Sequence, residues 1–272
     1  MSTELVVRTH QDGVTTLRMN NPRRLNGWTA PMMQAVREAF TAAAADDETR
    51  AVVLTGTDPY YCAGVNLSAA VRPQHPRTLH GFIREQNQAW FETFINFPKP
   101  LLAAVNGPCI GAAVTSATLC DGVIASEKAT FSTPFARLGI TPEGGSSLLF
   151  PKLMGDDAER MLGEEGWVPT AAEAVEAGLI DRAVPHDALM DAAQSMAAGW
   201  AAERSGRAYR GGVTADELRA VNAEESAALA TAFLSPPFLM AQYRFLRSKK
   251  KWQPAAMFLT LRATHPLWSR MI

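Results

Sequence analysis

The chain has 272 residues, 47% of them hydrophobic, and a formal net charge of −1 at pH 7. That length fits one large domain, or a core with an appendage, and the apolar content is enough for a sizeable core. The near-neutral charge argues against general binding to nucleic acid or an anionic membrane, and no stretch is apolar for long enough to span a bilayer.

In chain order, Leu5 to Arg8 and Val14 to Met19 read as two strands of a hairpin, with Gln11-Asp12-Gly13 at the turn. Asn20-Asn21-Pro22 breaks the chain. A helix is predicted from Pro31 to about Ala45, with Met32, Val36 and Phe40 at helical spacing. Ala51 to Thr55 reads as a buried strand and Ser68 to Arg77 as a polar loop. A helix from about Leu79 to Phe94 follows, and Pro98 and Pro100 keep it from continuing. Leu101 to Val105 is the next strand, Gly111 to Leu119 a short helix, and Gly122 to Ala125 another strand. Ser146 to Leu153 has a helical pattern that Pro151 ends or kinks. Thr170 and Glu173 form a capping box for a helix ending near Gly178. Leu179 to Val184 then reads as a strand and Ala188 to Arg204 as an Ala-rich helix.

Beyond about Ser205 the strand signals stop. Helical patterns cover Ala215 to Phe233, Pro236 to Lys250 and Trp252 to Thr264. The alternation of strand and helix implies an α/β core over residues 1–204 with crossover connections, and a helical region over 205–272. The helical end carries Phe233, Phe238, Leu239, Phe245, Leu246, Trp252, Phe258 and Trp268. So many large apolar groups suggest a buried subunit contact.

Cys62, Cys109 and Cys120 are odd in number and irregularly spaced, which argues for a reducing compartment. The N-terminus, Met1-Ser2-Thr3-Glu4, lacks the pattern of a signal peptide, and the last residues do not match the peroxisomal tripeptide. The expectation is a cytoplasmic protein. His10, His75, His80, His186 and His265 fall in no metal or nucleophile pattern, so no metal site is expected.

Three segments carry the chemistry. Ala51-Val52-Val53-Leu54-Thr55-Gly56 leads to Tyr61-Cys62-Ala63-Gly64-Val65-Asn66-Leu67, and Leu101-Leu102-Ala103-Ala104-Val105-Asn106-Gly107 leads to Gly111-Ala112-Ala113. Each reads as a buried strand running into a turn of small residues and toward a helix. Backbone N–H groups on such turns are free to face one developing negative oxygen. The third segment, Arg137 to Gly145, carries one acid, Glu143, among Gly, Pro and apolar residues.

At Cys62-Ala63-Gly64 and Val105-Asn106-Gly107 the chain resembles the crotonase (enoyl-CoA hydratase/isomerase) family. The resemblance covers most of the chain and includes Asn21-Pro22 and Leu25-Asn26. It implies an α/β spiral of ββα units with a helical C-terminal region that forms a homotrimer or a dimer of trimers. It also implies an acyl-CoA thioester substrate, with coenzyme A part of that substrate and no separate cofactor. By position the resemblance puts the oxyanion hole on the N–H groups of Ala63 and Ala112. It implies substrate contacts at Arg24, Leu25, Cys62, Gly64, Asn66, Leu67, Gly111 and Phe135.

Hydratases resembling this chain use two glutamates; here Thr115 and Phe135 occupy those places. Glu143 instead matches the single glutamate of the Δ3,Δ2-enoyl-CoA isomerase branch, along with Phe131-Ser132-Thr133-Pro134-Phe135, Leu138-Gly139 and Pro142-Glu143-Gly144. The expected activity is therefore a shift of a 3-enoyl-CoA double bond to the 2-position. The alternatives are another crotonase reaction, weak hydration included, and a non-catalytic acyl-CoA-binding protein.

Overall fold

The structure, a computed structural model, describes residues 4–65 and 74–272. β1 (Val6–Gln11) and β2 (Val14–Met19) form an antiparallel hairpin closed by Asp12 and Gly13, both at positive φ. α1 (Ala30–Ala45) begins where the Thr29 side chain accepts the Met32 N–H, with Pro31 in its first turn. It crosses over to β3 (Ala51–Gly56), which lies parallel to β2. α2 (Pro76–Ile95) makes the next crossover, to β4 (Leu101–Val105).

β5 (Cys109–Ile110) leads into α3 (Ala112–Thr118), β6 (Gly122–Ser126) and β7 (Phe131–Ser132). Then come α4 (Phe135–Leu138), α5 (Ser146–Met154), α6 (Asp157–Leu162), α7 (Ala171–Glu176), β8 (Arg182–Val184) and α8 (Leu189–Glu203). The main sheet runs in the order β1-β2-β3-β4-β6-β8, parallel from β2 onward, and β5 pairs with β7 in a small second sheet.

Every residue of β3 and β4 is buried because both faces of the sheet are covered. Val52 and Leu54 pack with Met32, Val36 and Phe40 of α1 and with Trp90, Phe91 and Phe94 of α2. Their neighbours Ala51 and Val53 point the other way, onto Ala193, Ala197 and Ala201 of α8. The helical end comprises α9 (Ala215–Phe233), α10 (Pro236–Ser248) and α11 (Trp252–Trp268). Leu218 of α9 belongs to the main core. Leu229 and Phe233 of α9, Phe238 of α10 and Phe258 of α11 form a second cluster with Leu79 and Ile83 of α2, Phe135 and Ile140.

The elements differ from expectation where short-range signals are weak. α2 starts at Pro76 because proline is accommodated in a helix's first turn. The rest of the expected polar loop, through residue 73, lies outside the described residues. Leu179 and Ile180 are buried in a turn, and only Arg182–Val184 pairs as a strand. α11 continues through Pro266 to Trp268. The segment after α8 is bound to the core. Arg207 donates to the Leu119 carbonyl at 2.9 Å and Arg210 lies 3.0 Å from Asp181. No helix among the described residues is long and apolar enough to cross a membrane.

Candidate functional site

The two small-residue turns lie side by side. Cys62 and Cys109 pair as an isolated parallel bridge, and the Ile110 N–H donates to the Cys62 carbonyl at 3.0 Å. Gly64 sits at φ +75°, and a Cβ there would lie 2.5 Å from the Ile110 oxygen and 4.0 Å from the Ala112 nitrogen. Only glycine meets both the backbone conformation and this close approach. The two turns are therefore in contact through a position that admits no side chain.

Most amides on the first turn already have acceptors. Ala63 donates to the Leu25 carbonyl at 3.0 Å, and Gly64 donates to Cys62 Sγ at 3.3 Å. This corrects the expectation for Ala63: its N–H holds the turn to Leu25 and does not face a ligand. The amide without an acceptor among the described residues is that of Val65. The Gly64 carbonyl accepts from the Trp28 N–H at 2.8 Å. In a trans peptide the N–H points opposite to the C=O, so the Val65 N–H points away from Trp28.

On the second turn, Gly111 donates to the Ser132 carbonyl at 2.7 Å, and Val114 and Thr115 donate back to the Gly111 carbonyl. Ala112 opens α3, and its N–H belongs to the unpaired first turn of a helix. No acceptor for it occurs among the described residues. Ala112 carries its methyl group without backbone strain, because a helical position has negative φ. The available pair of donors is therefore Val65 and Ala112.

The two positions that the resemblance matches to hydratase glutamates are buried and carry no acid. Thr115 is fully buried, and its hydroxyl donates to the Ala112 carbonyl at 3.2 Å. Phe135 opens α4 and is packed into the second apolar cluster. Cys62 lies under the first turn, where burial pushes its thiol up to about 12. A thiol so protonated is a structural group and no nucleophile.

Glu143 lies on the loop between α4 and α5 and is 7% exposed. No hydrogen bond from the described residues reaches its carboxylate. Its own backbone N–H donates to Ser146 Oγ at 3.2 Å. Burial, and then the negative charge of Glu225, pushes its carboxyl up to about 8. A carboxylate with that affinity for protons is suited to accept and return one near neutral pH.

The Glu143 loop is clamped from several sides. A Cβ on Gly144 would lie 2.4 Å from the Phe91 ring of α2, and one on Gly145 would lie 3.1 Å from Leu218 of α9. Glu225 of α9, also 7% exposed, accepts the Gly145 N–H at 2.5 Å and the Ser147 N–H at 2.8 Å. It thereby satisfies orphan donors at the start of α5. α2 links this loop to the first turn. Trp90, next to Phe91, packs edge-on against Trp28 with ring centroids 4.6 Å apart, and Trp28 donates to Gly64.

A profile described as "Enoyl-CoA hydratase/isomerase" matches residues 9–231. The chain belongs to the enoyl-CoA hydratase/isomerase family. It is 34% identical over 259 residues to human "Enoyl-CoA delta isomerase 2", covering 91% of this chain and 64% of that protein. Just under two thirds of that relative's length is thus represented here. It is 33% identical over 196 residues to Escherichia coli "1,2-epoxyphenylacetyl-CoA isomerase", covering 71% of this chain and 75% of that one. A crystal structure of an enoyl-CoA hydratase/isomerase from Pseudoalteromonas atlantica T6c superposes with a TM-score of 0.76 at 26% identity, covering 90% of this chain and 97% of that one.

Within this family's fold the expected contact residues fall in three places. Cys62, Gly64, Gly111 and Ala112 meet at the paired turns. Arg24 and Leu25 are exposed beside them, Arg24 on a short 3₁₀ turn and Leu25 at φ 53°, with the Leu25 carbonyl bonded to Ala63. Asn66 and Leu67 lie outside the described residues. Sequence reasoning missed Val65 and Glu225. Val65 carries no sign in its side chain, since its contribution is an amide oriented by the neighbouring peptide. Glu225 had a signal: with Leu218, Asn222, Ser226 and Leu229 it falls on the inward stripe of α9, where an acid is out of place.

Proposed function

We propose that the chain is a Δ3,Δ2-enoyl-CoA isomerase. Glu143 takes a proton from C2 of a 3-enoyl-CoA thioester. The C2–H electron pair forms a C1–C2 double bond and displaces the thioester C=O pair onto oxygen. This leaves a dienolate conjugated with the intact C3–C4 alkene, whose oxygen accepts the N–H groups of Val65 and Ala112. The same carboxyl then returns the proton at C4, giving the conjugated 2-enoyl-CoA, so the reaction balances without water or a cofactor. Such preorganised amides act where charge develops and need no reorganisation during the reaction. Arg24 and Leu25, exposed beside the first turn, are assigned to the coenzyme A portion.

The observation that carries this reading is the buried Glu143 carboxyl, pushed up to about 8 and reached by no hydrogen bond from the described residues, while the positions matched to the hydratase glutamates are Thr115 and Phe135. One carboxyl suffices for a proton shuttle, whereas hydration needs a positioned water as well. The deciding experiment compares turnover of 3-hexenoyl-CoA and crotonyl-CoA by the wild-type protein and Glu143→Gln. Isomerisation well above hydration, lost in the variant, supports the assignment. Faster hydration of crotonyl-CoA would return the chain to the hydratases. Unchanged binding with no turnover of either ester would make it a non-catalytic acyl-CoA-binding protein.

The three free buried thiols support placing this activity in a reducing compartment, the cytoplasm. A homotrimer, or a dimer of trimers, is proposed on narrower grounds than the sequence suggested. Phe233, Phe238, Leu239, Leu246 and Phe258 are buried within the chain itself. The apolar groups left outside are Phe245 on α10 and Trp252, Leu259 and Leu267 on α11, the last 75% exposed. Light scattering that finds only monomer at micromolar concentration would remove this proposal.

A further inference from the structure

Resting on the reading of Glu143 as the base, we propose that Glu225 is its positioning residue: the Glu225 carboxylate ties down the loop that carries Glu143 and, when ionised, places a negative charge near it. The two glutamates come from different parts of the chain, Gly145 and Glu225 being 80 positions apart. The Glu225 carboxylate spans the loop and α5 by accepting both the Gly145 and Ser147 amides. Two N–H donors aimed at two oxygens require an acceptor on each, which favours the ionised form. Burial is the larger influence and raises the Glu225 carboxyl above its ordinary value, against the downward pull of these bonds. Its charge in turn penalises the ionised form of Glu143, on top of that carboxyl's own burial.

A helix cap alone does not require this residue. Ser, Thr, Asp or Asn at position 145 would be the local solution, but Gly145 is at φ +78° with Leu218 close to where a Cβ would sit. The cap is instead supplied by a carboxylate on α9, and that choice brings a charge into the neighbourhood of the base.

The other ionisable groups on the surrounding elements are otherwise occupied or distant in effect. On α2, Arg84 pairs with Glu85 at 3.7 Å, and Glu92 accepts from Gln88; Arg77 and His80 lie nearer its start. On α9, Arg219 pairs with Asp216, Glu217 caps its own helix, and Glu224 precedes the residue in question. α4 carries Arg137, α5 Lys152, and α10 Arg244 and Arg247. None of these contributes to the upward push on Glu143 as Glu225 does.

The test is the pH dependence of kcat/KM for 3-hexenoyl-CoA in Glu225→Gln and Glu225→Asp. Glu225→Gln keeps the shape and one acceptor but removes the charge. Its acidic limb is expected to move to lower pH by about one pH unit. Glu225→Asp keeps the charge on a shorter arm. It is expected to hold the limb near its wild-type position while kcat falls roughly tenfold from a looser loop. A role confined to capping α5 would lower stability and kcat in both variants and leave both limbs in place, which would overturn the proposal.

A second measurement needs no altered Glu225. In the wild-type protein, carboxyl 13C titration should give the Glu143 resonance two inflections, one of them at the titration of Glu225. A single inflection would equally overturn the proposal. Full turnover by Glu143→Gln would instead remove the base assignment itself, and the titration would still report whether the two carboxyls interact.

Discussion

The two halves of the site are held by different means. The backbone half, Cys62 to Val65 and Gly111 to Ala112, is built from main-chain geometry: a glycine at positive φ, an isolated bridge between strands, and the first amide of a short helix. The carboxyl half, the Glu143 loop, has no such internal support. It is shaped by Phe91 of α2 and by Leu218 and Glu225 of α9. The first half presents donors whose strength does not depend on pH. The second presents one group whose state does, and whose affinity for protons is set by what packs around it. One helix of the helical end, α9, thus takes part in packing the loop that carries Glu143, the proposed base.

The largest effect should come from the carboxyl half. Glu143→Gln removes the base while keeping shape and neutral burial. It is expected to lower kcat for 3-hexenoyl-CoA by roughly 10²- to 10⁴-fold with KM little changed. Steady-state kinetics on the folded variant check this, and unchanged kcat would break the comparison at its centre.

Ala112→Pro probes the backbone half. Proline is tolerated at the first position of a helix and deletes only an N–H that is unpaired in α3. The expected loss in kcat is about 10²- to 10³-fold, the same factor at every pH, with the position of the pH limb unmoved. A displaced limb would mean that the two halves are coupled more tightly than their separate supports suggest.

The wild-type pH profile is the third test. With Glu143 held at about 8, kcat/KM should fall tenfold per pH unit below that value and level off above it. A limb near the ordinary carboxylate range would show that burial does not govern the base.

The smallest effect is on stability. The folded protein keeps a proton on Glu143 that the unfolded chain gives up above the ordinary glutamate value of 4.5. The folded state thus binds more protons across the window from about 4.5 to about 8, so stability falls as pH rises through it and is level above. Glu143→Gln removes this penalty. Its melting temperature should match wild type near pH 4 and exceed it by on the order of 5 °C at pH 9, as scanning calorimetry would read.

The sequence by itself determined the order of strands and helices, the parallel core, the two small-residue turns and the single acid among apolar residues. These are local properties: periodicity marks which side of an element is buried, and glycine marks where the chain must come close to another backbone. The short pieces β5, β7, α4 and α6 left no period long enough to read. Tertiary structure alone decided which amide of the first turn is left without an acceptor among the described residues. Ala63 and Val65 are two residues apart in one turn, and the choice between them depends on Leu25 accepting from one and on Trp28 orienting the peptide of the other. It also decided the acidity of Glu143, because burial and a neighbouring charge arise only when α2 and α9 close over the loop. The chemistry of a residue type is written in the chain, but its orientation and its electrostatic surroundings are properties of contacts between segments far apart in it.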